Sequence, residues 1–223
     1  MNHRIRENWP YSIPDWPEIH WSTSNSSKEA QKISKEARRR KVSRLCHFTK
    51  LESLESITKK GVLPQQQLRQ QNLSNFIQDH NMANKEGHTN FVRCSVEYPN
   101  LFNLDFFQNT QQQTSNSAIQ WVVLLLNPNL LTRPGTKFCD TNAATENGTR
   151  IQPGTNGFKA MYKKVVNLPN HSPVKRANKH LMSCPTNLQA EVLIEGKIDF
   201  ANVLAVVVYD QQTQQNAQQI VTS

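Results

Sequence analysis

Six consecutive apolar residues, Trp121-Val122-Val123-Leu124-Leu125-Leu126, constrain the fold of this chain more than any other feature. The run lacks the alternation of a half-wet strand and is too short for a helix, so it reads as a strand dry on both faces. A strand over 119–126 therefore belongs inside a sheet covered on both sides. Strands over 45–49, 91–98, 190–195 and 203–209 alternate with helix-favouring stretches over 28–44, 51–60 and 154–162, with a partly helical stretch around 73–82. Gly61 is placed to close the second helix, since a C-cap position favours glycine. The pattern is that of a mixed α/β chain.

No apolar run approaches the roughly 20 residues of a membrane-spanning helix. Hydrophobic residues make up 36% of the 223 residues and the mean hydropathy is -0.66, with Gln and Asn supplying much of the polarity. The start, Met1-Asn2-His3-Arg4-Ile5-Arg6, leads into Trp, Pro and Glu and not into an apolar stretch, so a cytoplasmic protein is expected. Charge points to a partner: 26 Lys and Arg against 17 Asp and Glu give +9 and a pI near 9.5. That balance favours polyanions through counterion release. Cys46, Cys94, Cys139 and Cys184 are far apart, without the paired spacing of a zinc site or a disulfide frame, and are expected to be buried free thiols.

Three segments are expected. Residues 1–43 form an arm rich in Trp and Pro (Trp9, Trp16, Trp21) followed by a helix that ends in Arg38-Arg39-Arg40-Lys41, a polarity that suits the helix dipole. Residues 44–210 form the main domain, and 211–223 a polar tail expected to fray. Residues 64–90 are a long polar connection of the kind that often covers a site.

Several chemistries are missing their signatures: the Gly-x-Gly-x-x-Gly turn, the phosphate loop, His-Glu-x-x-His and the Gly-x-Ser-x-Gly elbow. What remains are compact polar motifs at strand ends: His47-Phe48-Thr49, Ser95-Val96-Glu97-Tyr98-Pro99-Asn100, Asn142-Ala143-Ala144 and Gln189-Ala190-Glu191. Taken in order with Leu54, Ile57, Gly61, Phe138-Cys139 and Gly157-Phe158, these landmarks resemble the DarT family of NAD-dependent nucleic-acid ADP-ribosyltransferases over about 45–209. The Gln-Ala-Glu-Val-Leu segment is the most specific.

The resemblance implies an ADP-ribosyltransferase fold, a split central sheet with NAD in its cleft, and transfer of ADP-ribose from NAD to a base of single-stranded DNA. It further implies a toxin or phage-defence effector, a macrodomain or other ADP-ribosyl hydrolase as antitoxin, and no metal. Cleaving the nicotinamide–ribose bond creates an oxocarbenium-like centre that a carboxylate stabilises, and Glu191 fits that role. Gln189, two residues earlier, shares its face by strand alternation and would orient the acceptor base. His47 and Thr49 share one face of their strand and are assigned with Phe48 to NAD, as are Ser53, Ser95 and Tyr98. Asn142 is read either as a substrate contact or as a structural turn.

Arg38, Arg39, Arg40, Lys41 and Arg93 are the expected nucleic-acid contacts, and the tryptophans the stacking elements. The family's arginine before the second strand is replaced by Asn84 in Ala83-Asn84-Lys85-Glu86-Gly87, leaving Lys85 or Arg93 to supply the charge. Three rival readings follow: transfer onto RNA, a nucleic-acid-binding module that has lost the chemistry, and a protein-directed transferase.

Overall fold

The computed structural model describes residues 4–7, 19, 21, 27–73, 87–100 and 120–222. Its strands are β1 (Arg4–Glu7), β2 (Leu45–Lys50), β3 (Phe91–Val96), β4 (Trp121–Leu126), β5 (Lys137–Cys139), β6 (Gln152–Pro153), β7 (Val165–Leu168), β8 (His171–Lys175), β9 (Glu191–Glu195) and β10 (Val203–Val208). The helices are α1 (Lys28–Arg39), α2 (Leu54–Lys60), α3 (Gln65–Gln70), α4 (Gly154–Ala160) and α5 (Gln211–Thr222). Among the described residues, eight strands form one sheet in the order β1-β10-β4-β2-β3-β9-β5-β6, and β7 and β8 form a separate hairpin.

The sheet is split at its centre. β2 pairs with β4 along all its residues, from Leu45 opposite Leu126 to Lys50 opposite Trp121. It meets β3 only at Leu45 opposite Val96 and Cys46 opposite Ser95, and beyond those pairs the strands part. β3 continues against β9, which in turn pairs with β5.

The main core lies on one face of both halves. Leu45, Leu124 and Leu126 from the sheet meet Ala37 of α1, Leu54 of α2, Phe158 of α4 and Ala217 of α5, all fully enclosed. Burying a leucine of this kind contributes about 1.5–3 kcal/mol. The second face carries two small clusters, one over each half: Cys46, Val123, Leu125, Ala205 and Val207, and Phe91, Cys139, Ala143 and Leu193. β4 is buried along its full length, as its unbroken apolar run requires. Gly61 closes α2 with φ +83, and a Cβ there would meet the Ile198 carbonyl oxygen at 2.4 Å, so the position requires glycine.

Three local expectations change, and a fourth falls largely outside the described residues. The Trp- and Pro-rich arm, expected to have no strand, contains one: β1 adds in parallel to the edge of β10, and Trp21 packs on the main core. α1 stops at Arg39 because Lys41 turns left-handed (φ 59) and drops Val42 into the core. The segment expected to be partly helical around 73–82 lies outside the described residues from 74 onward, and the helix that is described, α3, comes earlier. The tail is a helix, not a frayed end. Asp210 caps it by accepting from the Thr213 amide at 2.7 Å, and Thr213 and Ala217, four residues apart, are buried on one face.

α1 is tied to the domain by two devices. Ser27 caps it by accepting from the Ala30 amide (3.1 Å), and Glu29 Oε1 accepts from the Thr155 amide at the start of α4 (2.5 Å). All four cysteines are buried free thiols. Burial pushes Cys184 up to about 11 and Cys139 up to about 12, so they are unreactive as nucleophiles. No helix among the described residues is long and apolar enough to cross a membrane.

Candidate active site

The histidine of β2 sits at the split. His47 Nδ1 lies 2.9 Å from the Arg93 carbonyl oxygen on β3. A carbonyl only accepts, so Nδ1 carries the proton and donates. The ring thus meets a backbone acceptor where β2 and β3 no longer pair, and props the two halves apart. Burial holds the ring pKa below its usual value, so His47 is neutral and its Nε2 is left as an acceptor. Thr49 shares its side of β2 and is buried. Phe48 points the other way, edge-on to Trp121 at 5.7 Å and against the second-face cluster. Ser53 ends the 3-10 turn before α2; it makes no capping bond, and its buried Oγ has no hydrogen-bond partner among the described residues.

The carboxylate lies across the split, at the first residue of β9. Glu191 is 6% exposed, and its Oε2 accepts from the Ala143 amide at 2.8 Å. Burial raises its pKa, while the Ala143 amide and the Arg93 charge pull it down. Arg93 stands opposite Leu193 and Cys139 opposite Glu191, so strand alternation puts Arg93, Ser95, Cys139 and Glu191 on one face of this half.

The turn that supplies the Ala143 amide is held from three sides. Asn142 Oδ1 accepts from the Ala144 amide (3.0 Å), forming an Asx turn. Arg150 grips Asp140 with two bonds of 2.9 and 2.8 Å. Asn187 Nδ2 donates to Thr141 Oγ1 at 2.9 Å, while Asn187 Oδ1 accepts from the Gln189 amide at 3.0 Å. Asn187, 4% exposed, therefore couples the turn before Glu191 to the turn that binds Glu191. Gln189 lies in that turn, half-buried, and not in the strand, so simple alternation does not set its direction.

Other expected residues fall into two groups. Tyr98 and Arg44 stack loosely, with the guanidinium 5.6 Å from the ring centre. Beside them Glu97 takes a left-handed conformation (φ 68), and its buried carboxylate accepts from the Ser43 amide (2.5 Å) and hydroxyl (3.0 Å). The basic cluster sits elsewhere, at the end of α1. Arg39 and Arg40 both bind Glu36, whose pKa they hold down at about 2, and Arg40 also covers the Tyr162 ring at 4.0 Å. Arg38 and Lys41 are exposed. Trp9, Trp16, Asn84, Lys85 and Glu86 lie outside the described residues. Sequence reasoning missed Ala143, Asn187 and the Asp140–Arg150 pair. Ala143 sits inside a motif already singled out and Asn187 two residues before another, but their contacts are between segments more than 45 residues apart.

A sheet that divides beside a histidine-bearing strand, with a buried glutamate opening the strand on the far side, is ADP-ribosyltransferase architecture. The structure of Thermosipho africanus DarTG in complex with ADP-ribose shares the fold, with a TM-score of 0.54 and 15% identity over 81% of this chain and 47% of that one. The chain thus spans less than half the length of that neighbour. No curated protein sequence matches it. The family model for DarT, ssDNA thymidine ADP-ribosyltransferase, matches residues 46–223, and the chain belongs to the DarT family of NAD-dependent ssDNA ADP-ribosyltransferases.

Proposed function

We propose that this chain transfers ADP-ribose from NAD to the ring nitrogen of thymine in single-stranded DNA, with Glu191 as the group that governs the chemistry. The observation that carries this reading is the buried Glu191 carboxylate, fixed by the Ala143 amide and raised in pKa at the edge of the split. Neutral His47, with Nε2 free to accept, Thr49 and the unpaired Ser53 hydroxyl offer the acceptor and donor groups that a ribose and a carboxamide require. Ser95 and Arg93 border Glu191 on its face of the sheet, and Arg93 supplies positive charge toward the donor's phosphates.

In the reaction the bond between ribose C1′ and the nicotinamide nitrogen breaks, and its electron pair leaves with neutral nicotinamide. The ionised Glu191 stabilises the cationic C1′ as it forms. The thymine N–H then bonds to C1′ through nitrogen, and its proton passes to Glu191, which burial makes a stronger base than an exposed carboxylate. Gln189 orients the base. Paired thymine hides this nitrogen, which accounts for a single-stranded acceptor. We further propose that the modification is toxic and is reversed by a macrodomain-type ADP-ribosyl hydrolase, in a toxin–antitoxin or phage-defence setting.

The test is intact-mass analysis of thymine-containing, thymine-free and RNA oligonucleotides incubated with NAD and the protein. One ADP-ribosyl gain confined to thymine-containing DNA is expected. A gain on RNA or on thymine-free DNA overturns the acceptor, and no gain on any overturns the activity.

A further inference from the structure

Between Glu146 and Glu191 the chain carries seven Lys and Arg and no Asp or Glu. The centre of this stretch is the β7–β8 hairpin, which stands apart from the main sheet, with Val165 opposite Lys175 and Val166 opposite Val174. Val166 is buried, whereas Lys163, Lys164, Lys175 and Lys179 are all exposed. None of these four has an acidic partner among the described residues. Like charges gathered without counter-charges repel one another, and a polyanion relieves that repulsion.

The hairpin is also rigidly joined to the turn that carries the reactive residues. Arg176, directly after β8, donates from Nη1 to the Cys184 carbonyl (2.9 Å) and Thr186 Oγ1 (3.2 Å), and from Nη2 to the Leu181 carbonyl (2.7 Å). Its amide donates to the Lys164 carbonyl at 2.9 Å. Thr186 in turn donates to the Lys163 carbonyl at 2.6 Å, and the next residue is Asn187, which positions the turn before Glu191. Arg176 also lies 5.8 Å from the Tyr162 ring that Arg40 covers, so the exposed Arg38 and Lys41 at the end of α1 adjoin the base of the hairpin. Between the lysines and Glu191, the segment exposes Leu181 (55%), Met182 (49%) and Leu188 (53%).

We infer that the outer face of the β7–β8 hairpin is the track for the sugar–phosphate backbone of the single-stranded acceptor, with Leu181, Met182 and Leu188 as the apolar rest for its bases. Single strands are bound without regard to sequence where cationic residues track the backbone beside a surface that receives the bases, which is commonly aromatic and here is aliphatic. This rests on the function proposed above, in that the strand so held is the one whose thymine reaches Glu191. The end of α1 extends the same track with two further charges.

The test is fluorescence anisotropy of a labelled thymine-containing single strand across a salt series, with the fourfold variant Lys163→Gln, Lys164→Gln, Lys175→Gln, Lys179→Gln. At about 0.7 per phosphate contact for single strands, four lost contacts lower the slope of log affinity against log salt by about 3. Affinity near 0.1 M salt is expected to fall on the order of 10- to 100-fold. The pairs at 163/164 and 175/179, made separately, are each expected to show about half of the slope change, with melting temperatures unchanged. A Lys59→Gln, Lys60→Gln variant on the distant α2 is expected to bind as wild type does. A fourfold variant that melts normally and keeps the wild-type slope overturns the assignment, as does a wild-type protein that binds no single strand. Intact-mass transfer is measured in parallel: a lowered slope with no transfer by wild type upholds the track and refutes the activity. Transfer with an unchanged slope does the reverse.

Discussion

In β1-β10-β4-β2 every β4 residue is buried and apolar, and the facing β10 residues Val206, Val207 and Val208 are nearly sealed. In β3-β9-β5-β6 the same ladder geometry holds Arg93, Ser95, Lys137 and Glu191, and its second-face cluster is smaller. The first half spends its residues on packing and offers one strand edge, with His47, to the split. The second half keeps a charged group inside the protein and fixes it with the Ala143 amide. Stability and chemistry are thus assigned to different halves, and each can be disturbed separately.

The largest expected effect is on the reactive half. Glu191→Gln keeps the shape and the bond from Ala143 but removes the charge, so single-turnover transfer falls on the order of 10²- to 10⁴-fold. Its stability moves the other way. Because the folded pKa of Glu191 is raised above the ordinary 4.5, its contribution is full below that pH and is lost as pH rises through the folded value. Thermal melts are expected to show Glu191→Gln above wild type at pH 7.5, with the gap closing below about pH 4.5. A variant that melts lower than wild type at neutral pH breaks this assignment.

The matching change in the scaffold half is Leu124→Ala, at a fully enclosed position of β4. It is expected to cost about 2–5 kcal/mol in denaturant unfolding, while transfer per folded molecule stays near wild type. Asn187→Ala lies between the two. Loss of its bonds to Thr141 and Gln189 costs about 1–3 kcal/mol and lowers the rate at saturating NAD and DNA more than it alters NAD affinity. A change confined to stability contradicts its positioning role. The smallest effect is Glu36→Gln at the end of α1, about 1 kcal/mol, since the Arg39 side of the pairing is open to solvent and only the pair with Arg40 is sheltered. Their contribution is present above the ordinary carboxylate pKa and is lost as pH falls toward about 2.

What could be read in the sequence follows the same division. The continuous apolar strand of β4, the turn at Gly61 and the opening of β9 at Glu191 are encoded by neighbours in the chain, so pattern alone places them. β1 is four residues, three of them charged, and becomes a strand only because β10 offers an edge. α5 is half Gln, and its signal is the spacing of Thr213, Ala217, Ile220 and Val221 behind the Asp210 cap, which overall polarity conceals. Residue type alone leaves Asn142 open between contact and turn, and the bond from the Ala144 amide shows that its side-chain oxygen holds a turn. The Ala143 amide was invisible, because a backbone donor leaves no trace in residue type. Its use depends on β5 bringing 139 beside 191.

The pH profile of single-turnover transfer at saturating NAD and single-stranded DNA tests the central claim most directly, in wild type and in Arg93→Gln. Glu191 must be ionised to act, and the Arg93 charge lowers its pKa against the pull of burial. The acidic limb is therefore expected to belong to Glu191, to move to higher pH in Arg93→Gln, and to vanish with the activity in Glu191→Gln. An acidic limb that stays in place without the Arg93 charge, or transfer that survives in Glu191→Gln, would contradict the account.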